Sequence, residues 1–200
     1  MSRLAALLLL CLLLMTGSAG ADESAAVKES FRSLQQALKE KNAAAAMELL
    51  SEETRDYYRL LGRAAKQFSA KELDKLSPLN QIMVALVRKK LPGVKSPEDL
   101  LPAAIEAGFV SRELSDEMEL GEITFSENRA ISEIRRSGKS SALKLFFRKE
   151  KERWRVDLSS LIDQANAMAE DYLKKTGIDG KAFSKGITDR IGGNSPAKGR

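Results

Sequence analysis

Histidine is absent from this chain of 200 residues, and cysteine occurs once. Without imidazole there is no Ser-His-Asp triad, no histidine proton shuttle and no zinc or iron site built on histidine. A single Cys excludes a disulfide within one chain. Aromatic residues make up 6%, with one Trp and three Tyr. There is no G-x-S-x-G elbow and no glycine-rich phosphate loop, and a serine nucleophile would lack an imidazole base. No apolar run is long enough for a bilayer helix. The longest, Leu4–Met15, has 12 residues, and a spanning helix needs about 20.

That run follows Arg3 and leads into small residues ending in Ala19-Gly20-Ala21, an A-x-A cleavage pattern. Residues 1–21 therefore read as a secretory signal, with Asp22 as the mature start. Cys11 sits inside the run behind Leu10, where a lipoprotein signal wants a small residue. Once the signal is removed, no thiol remains. Exported eukaryotic domains are often disulfide-rich, so the expected location is the bacterial periplasm or the medium. The balance of 33 Lys+Arg against 28 Asp+Glu is too mild to argue for nucleic acid. The acidic stretch 116–122 lacks the glycine and ligand spacing of a calcium loop. No metal and no cofactor are expected.

The remainder reads as one α+β domain over 22–191, with a disordered tail at 192–200. The first helix spans about Glu23 to Glu40, with Val27, Phe31, Leu34 and Leu38 on one face. Asn42 caps a short Ala-rich helix, and a third helix covers Glu52 to Gln67. Residues 70–110 read as a helical insertion. Its starts are the capping box at Ser69–Glu72 and the Ser-Pro pairs at Ser77 and Ser96, and an interruption is expected at Pro102. The segment 117–158 reads as four antiparallel strands, the last being Arg153–Leu158. Its alternation points Trp154, Val156 and Leu158 inward and Arg153, Arg155 and Asp157 outward. In 159–191, Ser160 caps a helix with Leu161, Ala165, Met168, Ala169 and Tyr172 on one face. A short helix carrying Phe183, Ile187 and Ile191 follows; Lys174 to Arg200 reads as a solvated tail, with those three residues alternatively resting on the domain or on a partner.

Helices followed by a meander form an α+β layer arrangement. The opening helix, the Ser51-Glu52-Glu53-Thr54 turn, and the closing Lys151-Glu152-Arg153-Trp154-Arg155-Val156-Asp157-Leu158 together resemble the nuclear transport factor 2-like superfamily. Exported bacterial members, often of unknown function, have this look. The resemblance covers about residues 24–68 and 118–160. It implies a cone: N-terminal helices on a curved antiparallel sheet, often with a cavity at the wide end. Such cones host isomerases, dehydratases and cyclases as well as non-catalytic binding and dimerising modules, so the fold does not select an activity.

A pocket in such a cone would draw on Phe31, Tyr57, Tyr58, Phe125, Phe147 and Trp154, all of which also serve as core. No catalytic residue stands out. Three readings remain. The first is a non-catalytic exported module that binds a small apolar ligand or a protein partner, and that could dimerise through its sheet. The second is a small isomerase or dehydratase with a buried carboxylate and Tyr57 or Tyr58 as proton donor; Glu133 is its weak strand candidate. The third rests on ten Lys/Arg against three acids between Arg129 and Arg155. Lys144, Arg148, Arg153 and Arg155 would then form a basic sheet face for an anionic membrane or acidic protein. The competing reading of that face is simple solubility and edge protection.

Overall fold

The computed structural model describes residues 22–110, 114 and 117–192. The expected signal, 1–21, lies outside them, as do Asp116 and all of the expected tail except Gly192. The described residues form an α+β fold in which helices pack on a curved four-stranded antiparallel sheet.

Helix α1 covers residues 22–39. Its spaced apolar residues Val27, Phe31, Leu34 and Leu38 are all buried. It crosses the inner face of the sheet: Ser30 Oγ donates to the Trp154 carbonyl at 2.7 Å, and Gln35 Nε2 donates to the Met118 carbonyl at 3.0 Å. Helix α2 (Ala43–Leu49) starts where Asn42 accepts from the Ala45 N–H. Helix α3 (Glu52–Gln67) starts on Ser51, whose Oγ accepts from Thr54 N. These caps satisfy amide groups that a helix start leaves unpaired, and they are legible from local sequence.

The strands are β1 (Met118–Ser126), β2 (Arg129–Arg136), β3 (Lys139–Glu150) and β4 (Arg153–Asp157), in that order across the sheet. Irregularities in register at Leu120/Ile123 and Glu133/Arg135 bend it. Ser137-Gly138 and Lys151-Glu152 hold positive φ at both turn positions, the hand that matches the twist of a tight hairpin.

The free edge of β4 is closed without a further strand. Ser51 N donates to the Val156 carbonyl at 2.9 Å, where Leu50 bridges Val156 in parallel. Leu158 N donates to Thr54 Oγ1 at 2.8 Å. Further along β3, beyond the end of β4, the Gln164 side chain takes the place of a strand. Lys144 N donates to Gln164 Oε1 at 2.9 Å, and Gln164 Nε2 donates to the Lys144 carbonyl at 2.7 Å.

The expected insertion contains α4 (Ala70–Leu73), α5 (Pro78–Lys90), the 3-10 turn Pro97–Asp99 and α6 (Leu100–Glu106). Pro102 does not interrupt α6. It lies in the first turn, where its missing N–H costs no helical bond. Helix α7 (Ser159–Thr176) is capped by Asp157, which accepts from Ser160 N at 3.3 Å, and not by Ser160. Its expected inner stripe is also corrected. Met168 and Tyr172 are 54% and 59% exposed, and Leu173 is the buried residue. The inner face of the sheet is already covered by α1, so α7 lies along the β3 edge and buries only a narrow line. Helix α8 (Gly180–Gly192) packs on α5, where Ser184 Oγ donates to Gln81 Oε1 at 2.6 Å.

Candidate functional site

An apolar cavity of about 230 Å3 lies between α3, α5 and α6. Tyr58 and Leu61 enter from α3, Met83 and Val87 from α5, Leu100 and Ala104 from α6, and Phe109 closes one side. Local structure sets each wall. Arg88 Nε donates to the Ala65 carbonyl at 2.8 Å, and its guanidinium also reaches the Ala64 carbonyl at 3.2 Å, tying α5 to the unpaired end of α3. Tyr57 Oη donates to Asn80 Oδ1 at 2.8 Å and joins the same two helices. At the end of α6, Gly108 takes φ +73°, Gly108 N bonds the Ile105 carbonyl, and Phe109 N bonds the Ala104 carbonyl at 2.9 Å. This is a Schellman closure, and it turns Phe109 back toward the helix.

The six aromatic candidates do not share this space. Tyr58 lines it. Tyr57 stands beside Tyr58, ring to ring at 5.6 Å and nearly perpendicular. Phe31 and Phe147 are buried in the core at 2% and 0% exposure. Phe125 and Trp154 meet edge to face at 5.7 Å elsewhere on the sheet. Met83, Val87, Leu100 and Phe109 were missed because they read as ordinary helical core. No sequence signal distinguishes a lining Leu from a packed one.

Trp154 belongs to a polar cluster at the start of α1. The Glu23 carboxylate accepts from Lys149 Nζ at 2.7 Å and from the Trp154 indole N–H. The Lys149 ammonium and then the indole hold the Glu23 carboxyl below its ordinary value of 4.5. A group with a depressed folded pKa contributes stability above its unfolded pKa and loses it as pH falls through the folded value. Trp154 is the only Trp, so its fluorescence reports this contact. We expect an emission change with its midpoint below pH 4.5, absent in Glu23→Gln. A midpoint above 4.5, or one unmoved by the substitution, would reject this assignment.

The basic sheet face differs from expectation. Arg155 is 8% exposed and Asp157 2%, so they do not point into solvent. The acidic junction of α2 and α3 covers the outer face of β4. Arg148 Nε lies 2.9 Å from Glu53 Oε1 and 3.2 Å from Asp157 Oδ2. Arg155 Nε lies 3.2 Å from Glu150 Oε2, in bent geometry, and its guanidinium donates to the Glu48 carbonyl at 2.5 Å. Arg55 reaches Glu150 at 3.5 Å from the other side. Only Lys144 and Arg153 of the four cations remain exposed.

No family model, curated protein or solved structure matches the chain. Its shape and its site therefore stand on their own geometry. Among the described residues no cluster of three or more possible metal ligands occurs, and no helix is long and apolar enough to cross a membrane.

Proposed function

We propose that the chain is an exported, non-catalytic binding module of nuclear transport factor 2-like shape, and that it holds a small apolar ligand between α3, α5 and α6. One observation carries this reading: the cavity is lined by apolar side chains and one tyrosine, with no carboxylate or cation among its described lining residues. Such a site rewards shape and apolar area, and none of its described lining residues is a carboxylate that could act as a base. Glu133, the strand acid of the enzymatic alternative, is exposed on β2. The docking alternative is weakened, because Arg148 and Arg155 are committed to internal carboxylates.

Native mass spectrometry of the protein purified from a periplasmic extract tests the proposal. The expected result is a retained small-molecule mass that Ala104→Trp, which fills the cavity, removes and Arg153→Glu leaves in place. A ligand at one hundred times its Kd stabilises by about 2.7 kcal/mol, or roughly 5–10 °C in Tm for a chain of this size. A retained mass unaffected by Ala104→Trp would overturn the assignment of the site.

A further inference from the structure

A second cleft of about 350 Å3 opens at the far end of the sheet. Its floor is apolar. Ile134 and Leu143 come from β2 and β3, Met118 from β1, and Leu161, Ile162 and Ala165 from α7. Helical spacing carries the same row outward from Leu161 and Ala165 to Met168 and Tyr172. These last two are the most exposed large apolar side chains described. The cleft thus continues as an open apolar track along α7.

Among its described lining residues the charge is of one sign. Arg136 lines the cleft, and Lys139 faces it across the hairpin as its register partner. Both are exposed, and neither makes an ion pair among the described residues, unlike Arg148 and Arg155. Ser141, also in the lining, uses its Oγ to accept the Leu143 N–H at 3.1 Å, which leaves the hydroxyl proton to donate. A guanidinium and a hydroxyl at the mouth of an apolar trough match a carboxylate head with a hydrocarbon tail. The volume lies within the range of small-molecule sites, and no acid is among its described lining residues to repel the head.

We propose that this cleft binds a free, single-chain aliphatic carboxylate, with the chain against Ile134, Leu143 and Leu161 and the carboxylate on Arg136 and Ser141. The site is separate from the α3–α5–α6 cavity, and the two proposals fail independently.

The test is isothermal titration of the purified protein with octanoate, decanoate and dodecanoate, and with dodecanol as the neutral control. Affinity is expected to rise about fourfold per methylene through the series. Dodecanol should bind about tenfold more weakly than dodecanoate, because it lacks the charge-assisted contact. Arg136→Glu, a change in an exposed side chain, should weaken dodecanoate at least tenfold. Ala165→Trp should block it, and Ala104→Trp, in the other cavity, should leave it unchanged. Equal binding of dodecanol and dodecanoate, indifference to Arg136→Glu, or loss through Ala104→Trp would each overturn the proposal. So would sedimentation with phosphatidylglycerol vesicles in the absence of dodecanoate binding, which would make the patch a bilayer dock.

Discussion

Asp157→Ala is expected to destabilise the fold by about 3–4 kcal/mol. The side chain is almost fully buried and serves three elements at once. One oxygen accepts from Arg148 Nε at 3.2 Å. The other accepts from Ser159 Oγ at 2.5 Å and from Ser160 N, which starts α7. Removing one partner of a buried ion pair costs about 3–5 kcal/mol; Arg148, the partner left behind, is 29% exposed and keeps some contact with water. Here Glu53 still neutralises Arg148 in part, which places the value at the lower end. The lost helix cap is included in that figure. Urea unfolding at pH 7 measures it, read as a fall in midpoint with an unchanged slope. A double-mutant cycle with Arg148→Met should show coupling of about 1.5–3 kcal/mol. A loss below 1 kcal/mol would mean that the outer face of β4 is wet in solution.

Gly62→Ala is expected to lower stability by about 2 kcal/mol, against its helix propensity. Alanine inside an exposed helix gains about 1 kcal/mol over glycine. At this position in α3 an added Cβ would stand 2.7 Å from Pro97 Cα and 2.9 Å from the Pro97 carbonyl oxygen. Both are backbone atoms, so no side chain can swing aside. Overpacking of this kind costs about 1–3 kcal/mol or somewhat more, and it outweighs the gain. The expected fall in Tm is roughly 4–8 °C. The shift would also push the 3-10 turn and α6 away from α3, so binding of an apolar ligand beside Leu100 should weaken in the same variant. A rise in Tm would show that the Pro97 turn does not sit against α3.

Local rules carried most of the fold into the sequence. Ser51, Ser69 and Ser77 announce their helices because a cap is made within three residues. Alternation in Leu143, Leu145 and Phe147 reveals β3, since period two needs only one covered face. The outward assignment of Arg155 and Asp157 failed for a nonlocal reason. Whether a charged residue on β4 meets water depends on Glu48 and Glu53, about a hundred positions earlier in the chain. The candidate site was less legible still. Of the aromatics singled out, only Tyr58 lines the cavity, because its shape arises from how three helices fail to close. That gap leaves no periodic mark, and Met83 or Leu100 looks the same whether it is packed or lining.

The bond from Ser30 to the Trp154 carbonyl joins residues 124 positions apart, and it sets a delay. Helix α1 is made early, yet β4, which carries the Trp154 carbonyl, arrives more than a hundred residues later. At synthesis rates of about 5–20 residues per second, the apolar face of α1 waits roughly 6–25 s for its sheet. For that interval the chain carries an amphipathic segment without its sheet, and the core closes only when segments far apart in the sequence meet.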